Sequence, residues 1–196
     1  STNSNLLFSR LAPVDFLTSI SVIKYFRIVS KGTKFFRFNP IIRKIRCKFA
    51  RRNAIAMIRY FKEDTKFEFK SRALNNKWLK MVAESEIRRI GDINIIFCSD
   101  NYILDVNMKY LQHDYFTDII TFDYCEKNRL NGDLFISVDS VRENSLFYGT
   151  EFSDELNRVI VHGILHLVGY DDHSEEDIAV MRSKEDYYLG LRSKLL

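Results

Sequence analysis

The run LNRVIVHGILHLVGYDDH, residues 156–173, constrains this chain more than any other stretch. Val159, Ile160, Val161, Ile164, Leu165, Leu167 and Val168 crowd so closely that a helix through them is apolar on nearly every side. Such a helix belongs largely inside a protein. Yet His162 and His166 lie within it, at i and i+4, so both imidazoles project from one face. Buried imidazoles need partners for their ring nitrogens, and a metal ion supplies one to each. His173 follows, so three of the four histidines in the chain fall within this run.

The glycines of the run have different meanings. Gly163 inside a helix costs about 1 kcal/mol relative to alanine, which is understandable if something must approach the backbone beside His162. Gly169 is a natural helix stop in the left-handed conformation. The chain would then turn back, so that Asp172 or His173 could complete a three-ligand site. Three protein ligands leave one tetrahedral position open, the mark of a catalytic rather than a structural zinc. Peptidase chemistry is disfavoured, because the helical metallopeptidase motif places a glutamate directly after the first histidine, where this chain has Gly163.

The rest of the chain sets the frame. It is 46% hydrophobic and 29% charged, the balance of a soluble globular protein, and no window of 18 apolar residues predicts a membrane span. Cys47, Cys98 and Cys125 are odd in number and widely spaced, which favours a reducing compartment over a disulfide framework. Charge is divided unevenly. Residues 1–56 hold 12 of the 30 lysines and arginines and one of the 26 acids, Asp15, so they stand at +11 and residues 57–196 at −7. The first segment mixes aromatics and cations without a sustained period. It reads as an RNA-binding arm, as an organelle transit peptide, or as an extension with no role in the fold, and the boundary falls at residue 56.

From Met57 the pattern sharpens. MIRYF (57–61) and KFEFK (66–70) alternate and predict two short strands or a hairpin. Leu74, Trp78, Met81, Val82 and Ile87 follow helical spacing after Ser71 as cap. DINIIFCSD (92–100) predicts a strand, and Asp100 or Asn101 a cap for a helix carrying Ile103, Leu104, Val106, Met108 and Leu111. TDIITFDY (117–124) and GDLFISV (132–138) predict strands. Three helices follow, from about Asp139, Ser153 and Ser174, the last with an acid-rich first turn that suits the helix dipole. The expected fold is α+β, a mixed four-stranded sheet with packed helices and a metal cleft on the buried histidine helix.

HGILHLVGYDDH (162–173) closely resembles the signature of the YbeY family, His-Gly-x-Leu-His-Leu-x-Gly-Tyr-Asp-His. VNMKYLQHDYFTDIITFDY (106–124) and NGDLFIS (131–137) resemble two further segments of that family, and the likeness covers about residues 57–190. Two departures stand out. The third ligand of the family falls ten residues after the first, which here is Asp172. The gapless set, His162, His166 and Asp172, is preferred; a one-residue bulge would restore three histidines through His173. At Leu111 the family often carries an arginine thought to face its RNA-binding cleft.

The resemblance implies a domain over residues 57–196 that is a zinc-dependent endoribonuclease with one Zn²⁺ per chain. It implies cleavage of single-stranded RNA, above all at the 3′ end of small-subunit ribosomal RNA, in ribosome maturation beside small-subunit proteins. The expected location is cytoplasmic, or organellar if 1–56 is a transit peptide, with no membrane partner. Asp171, beside the ligands, is the weak candidate for general base and equally suits capping the turn; Asp118 and Asp133 match family motifs but also suit turns. With 57–196 at −7, attraction for RNA must come from Arg88, Arg89, Lys109 and Arg158 gathered in one cleft, or from the basic segment. A metal-dependent hydrolase of a small substrate and a mainly non-catalytic ribosome-biogenesis adaptor remain as alternatives.

Overall fold

The computed structural model describes residues 57–196, so the readings of 1–56 lie outside the described residues. The chain runs β1 (Met57–Lys62), α1 (Arg72–Ser85), β2 (Arg89–Cys98), α2 (Asp100–Leu111), β3 (Ile119–Asp123), β4 (Arg129–Ser137), α3 (Val138–Tyr148), α4 (Phe152–Val168) and α5 (Glu175–Ser193). The fold is α+β with a mixed four-stranded sheet, as the patterning predicts. The strand order is β1-β2-β4-β3, with β1, β2 and β4 parallel and β3 antiparallel to β4.

The hairpin expected at the start does not form. β1 pairs in parallel with β2, from Met57 opposite Asp92 to Lys62 opposite Phe97, and residues 66–70 carry no strand. A parallel neighbour needs a crossover, which α1 supplies. The aromatics of KFEFK are used for packing instead. Phe67 meets Phe97 and Phe152 edge-on at 5.1 and 5.6 Å, and Phe69 stacks on Tyr60 at 5.0 Å. Aromatic pairs of this kind add to the area they bury, which a solvated edge strand would forgo.

β2 and β4 are covered on both faces, so nearly every residue in the second half of each is buried, the polar Asn94, Asp133 and Ser137 included. Ile93, Ile95 and Phe97 enter the larger cluster with Trp78, Leu79 and Val82 of α1, most of α4, and Met181 and Tyr188 of α5. Ile96 and Cys98 point the other way, to Phe135, Phe122, Ile120 and the α2 residues Ile103 and Val106. α4 lies on β3 and β4 with α1, α3 and α5 against its other sides, so its all-round apolar surface is accounted for. No helix among the described residues is long and apolar enough to cross a membrane.

Helix ends depart from expectation in three places. Ser99, not Asp100 or Asn101, caps α2 by accepting from the Tyr102 N–H; the Asp100 carboxylate is taken by Ser137 and Ser140. Ser71 precedes α1, but its side chain makes no cap. α1 stops at Ser85, so Ile87 leaves the helical face and stands exposed at φ 56°. At α5 the expected acidic start is present as a capping box between Ser174 and Asp177.

Candidate metal centre

α4 carries the centre, and its approach to the sheet is set by Gly163. A Cβ there would lie 2.7 Å from both Ile119 Cδ1 of β3 and Leu134 Cδ2 of β4. The close approach inferred from the glycine is therefore that of the sheet. Gly169 ends the helix at φ 118°, and the chain folds back over Tyr170 and Asp171. This return brings Asp172 onto the histidines.

The Nε2 atoms of His162 and His166 lie 2.9 Å apart, and Oδ2 of Asp172 lies 3.7 and 3.8 Å from them. Zinc bound at about 2.0–2.2 Å places tetrahedral ligand atoms about 3.3–3.5 Å from one another, so these three atoms can hold such an ion. His162 and Asp172 are buried, while His166 is 25% exposed and opens the cluster on one side.

The other ring nitrogens identify the tautomers. His162 Nδ1 donates to Glu185 Oε1 at 2.7 Å, and His166 Nδ1 donates to the Tyr170 carbonyl at 3.0 Å. Both acceptors assign the ring proton to Nδ1, so both Nε2 atoms present lone pairs. Two lone pairs and a carboxylate oxygen then face a common centre, an arrangement that a cation relieves. Burial, and then the His162 ring beside it, hold His166 down at about 3, which keeps its imidazole neutral and ready to ligate.

Tyr170 is itself held. Its hydroxyl donates to Glu86 Oε2 at 2.9 Å, and Glu86 also accepts from Lys184 at 2.7 Å and from the Tyr188 hydroxyl. Both histidines are thus oriented from α5, one through Glu185 and one through Glu86 and Tyr170. Sequence reasoning missed Glu185 and Glu86. Neither lies in a spacing motif: Glu185 is 23 positions from His162, and Glu86 is 84 from Tyr170.

The remaining candidates separate. His173 Nε2 lies 3.1 Å from Asp171 Oδ1, and the ring joins a group with Asp171 and Asp172 rather than with the helix histidines. The Asp171 side chain is 44% exposed, and its Oδ1 accepts from the Asp172 N–H at 2.9 Å, closing the turn. Asp118 accepts from Asn144 at 3.1 Å; Asp133 accepts from Asn94 at 2.6 Å and from Tyr124 at 3.2 Å. Leu111 packs on the second core cluster. Arg158 is paired with Glu185 and Asp186, and Arg88 donates to the carbonyls of Lys127 and Val168. Lys109 lies 5.4 Å from the Tyr110 ring, and Arg89 is exposed at the start of β2.

A mixed sheet carrying a buried two-histidine helix, with a carboxylate folded back onto it, defines an α+β protein with a candidate metal centre. The family model described as Endoribonuclease YbeY matches residues 57–191. Curated relatives of that name agree. The protein of Bacteroides thetaiotaomicron is 53% identical over 116 residues, 59% of this chain and 85% of its own. That of Phocaeicola vulgatus is 48% identical over 137 residues, 70% of this chain and 99% of its own. The solution structure of TM1509 from Thermotoga maritima superposes with a TM-score of 0.50 at 31% identity, covering 68% of this chain and 87% of that one. The chain belongs to the Endoribonuclease YbeY family and is an enzyme, a hydrolase of the nuclease class.

Proposed function

We propose that this chain is a zinc-dependent endoribonuclease that hydrolyses single-stranded RNA, acting on the 3′ end of small-subunit ribosomal RNA beside small-subunit proteins during ribosome maturation. The observation that carries the reading is the convergence of His162 Nε2, His166 Nε2 and Asp172 Oδ2 within 3.8 Å of one another. Bound there, zinc would act as a Lewis acid toward a phosphodiester and toward water. His162, His166 and Asp172 would hold it, and the exposed side of His166 admits the substrate. Asp171, the residue before Asp172 in the turn, is the carboxylate we put forward to accept the proton. The family name supports RNA as substrate, and the basic segment 1–56 would supply attraction that residues 57–196, at −7, lack.

The test is cleavage of end-labelled single-stranded and duplex RNA by the full chain. Zinc-loaded protein should cut the single strand internally, and the His162→Ala, His166→Ala double variant should not. RNA binding should weaken steeply with salt, whereas turnover of a small substrate would not. A double variant that bound no zinc yet supported ribosome maturation would favour an adaptor role.

A further inference from the structure

We propose that Glu185 is the positioning residue of the metal centre, fixing the tautomer and the angle of His162 from the neighbouring helix α5. This rests on the reading of His162, His166 and Asp172 as metal ligands, and adds a residue outside that set whose work is done through one of them.

Glu185 is 1% exposed, a placement that is costly for a carboxylate unless both oxygens are paired. Both are. Oε1 accepts from His162 Nδ1 at 2.7 Å, and Oε2 accepts from Arg158 Nη1 at 3.1 Å. Arg158 is anchored in turn by Asp186 Oδ1 at 2.7 Å. The carboxylate is therefore gripped between a ring on α4 and a guanidinium one turn earlier on the same helix. Its own rotation is blocked, and the ring's is blocked with it.

Stability alone is a poor reason for this arrangement, because well-packed apolar residues commonly replace a buried ion pair without loss. Ligand control is a better one. A carboxylate behind an imidazole keeps the proton on Nδ1, aims Nε2, and raises the basicity of the ligating nitrogen. His166 receives only a neutral carbonyl, from Tyr170. The two histidines are thus unequal, with His162 the more strongly supported donor.

The competing account is that Glu185 and Arg158 merely tie α4 to α5. Zinc affinity of the full chain, by competition with a chromophoric chelator, separates the two, together with the visible spectrum of the cobalt(II)-loaded protein. Glu185→Gln keeps the volume and loses the charge. It should weaken zinc binding by about 10–100-fold and shift the cobalt bands. Met181→Ala, on the same helix and buried without a polar contact at the site, should lower the melting temperature but leave zinc affinity unchanged. Equal zinc affinity in wild type and Glu185→Gln would overturn the inference while leaving the metal centre standing. A wild type that binds no zinc, or a His162→Ala variant that binds it as tightly, would overturn the metal reading and this inference with it. Should Glu185→Gln fail to fold, Glu185→Asp serves: it keeps the charge but draws the carboxylate back from the ring. Affinity then falls if position matters and holds if only the ion pair does.

Discussion

Asp172 places a carboxylate oxygen 3.7 Å from Nε2 of His162, while His173, the next residue, faces Asp171 at 3.1 Å. One residue of the turn after Gly169 therefore divides a buried donor from an exposed one. Elemental analysis should find about one zinc per wild-type chain and per His173→Ala chain. Asp172→Ala should lose it. Loss on His173→Ala with retention on Asp172→Ala would reverse the assignment.

His166 gives the metal-free protein an acid limit. Its imidazole, held at about 3 in the folded state by burial and then by His162, takes up a proton near 6.5 when unfolded. A depressed histidine contributes stability that is fully present above the unfolded value and is lost as pH falls from there toward 3. The loss should be on the order of 1 kcal/mol per pH unit below about 6. Urea unfolding of chelator-treated protein between pH 7 and 4 checks this, and His166→Gln should flatten the slope. An unchanged slope would place the proton uptake elsewhere.

Gly132 and Gly163 both lie where the sheet meets α4, but they should respond differently to alanine. At Gly132 a Cβ would lie 2.8 Å from the Phe122 carbonyl oxygen, a backbone atom that cannot step aside, and as close to Leu167. At Gly163 the obstructing atoms belong to side chains, and alanine also restores helix propensity. Gly132→Ala should cost about 2–3 kcal/mol and Gly163→Ala less, measured by urea unfolding. The reverse order would mean that Leu134 and Ile119 are the stiffer neighbours.

Ile87 is a β-branched residue, 88% exposed, in the left-handed region at φ 56°. Nothing is gained there from its side chain, while the backbone conformation is costly. Ile87→Gly should raise stability by about 1 kcal/mol despite the freedom glycine gains on unfolding. A melting temperature that falls would show that Ile87 has a partner in the folded protein.

Much of this protein was legible in local pattern. The i, i+4 histidines, the left-handed stop at Gly169 and the turn carrying Asp172 lie within one short run, and helical geometry alone puts the two imidazoles on one face. The strands within DINIIFCSD and GDLFISV were readable from their β-branched and aromatic residues, though not their central place in the sheet, since Asn94 and Asp133 lie buried within them. Period and spacing, however, describe a segment and not its partner. The alternation of KFEFK was equally suited to a strand and to two half-buried rings packed on Phe97, and only the assembled core chose between them. The same holds for Ser99 as the cap of α2, for Ile87 outside its helix, and for Glu185 and Glu86 behind the histidines. Glu185 meets His162 only when α5 packs on α4, and Glu86 meets Tyr170 only when the end of α1 reaches the turn after α4, so the support of the candidate centre belongs to the tertiary structure, while its donor atoms are already present in a single helix and the turn that follows it.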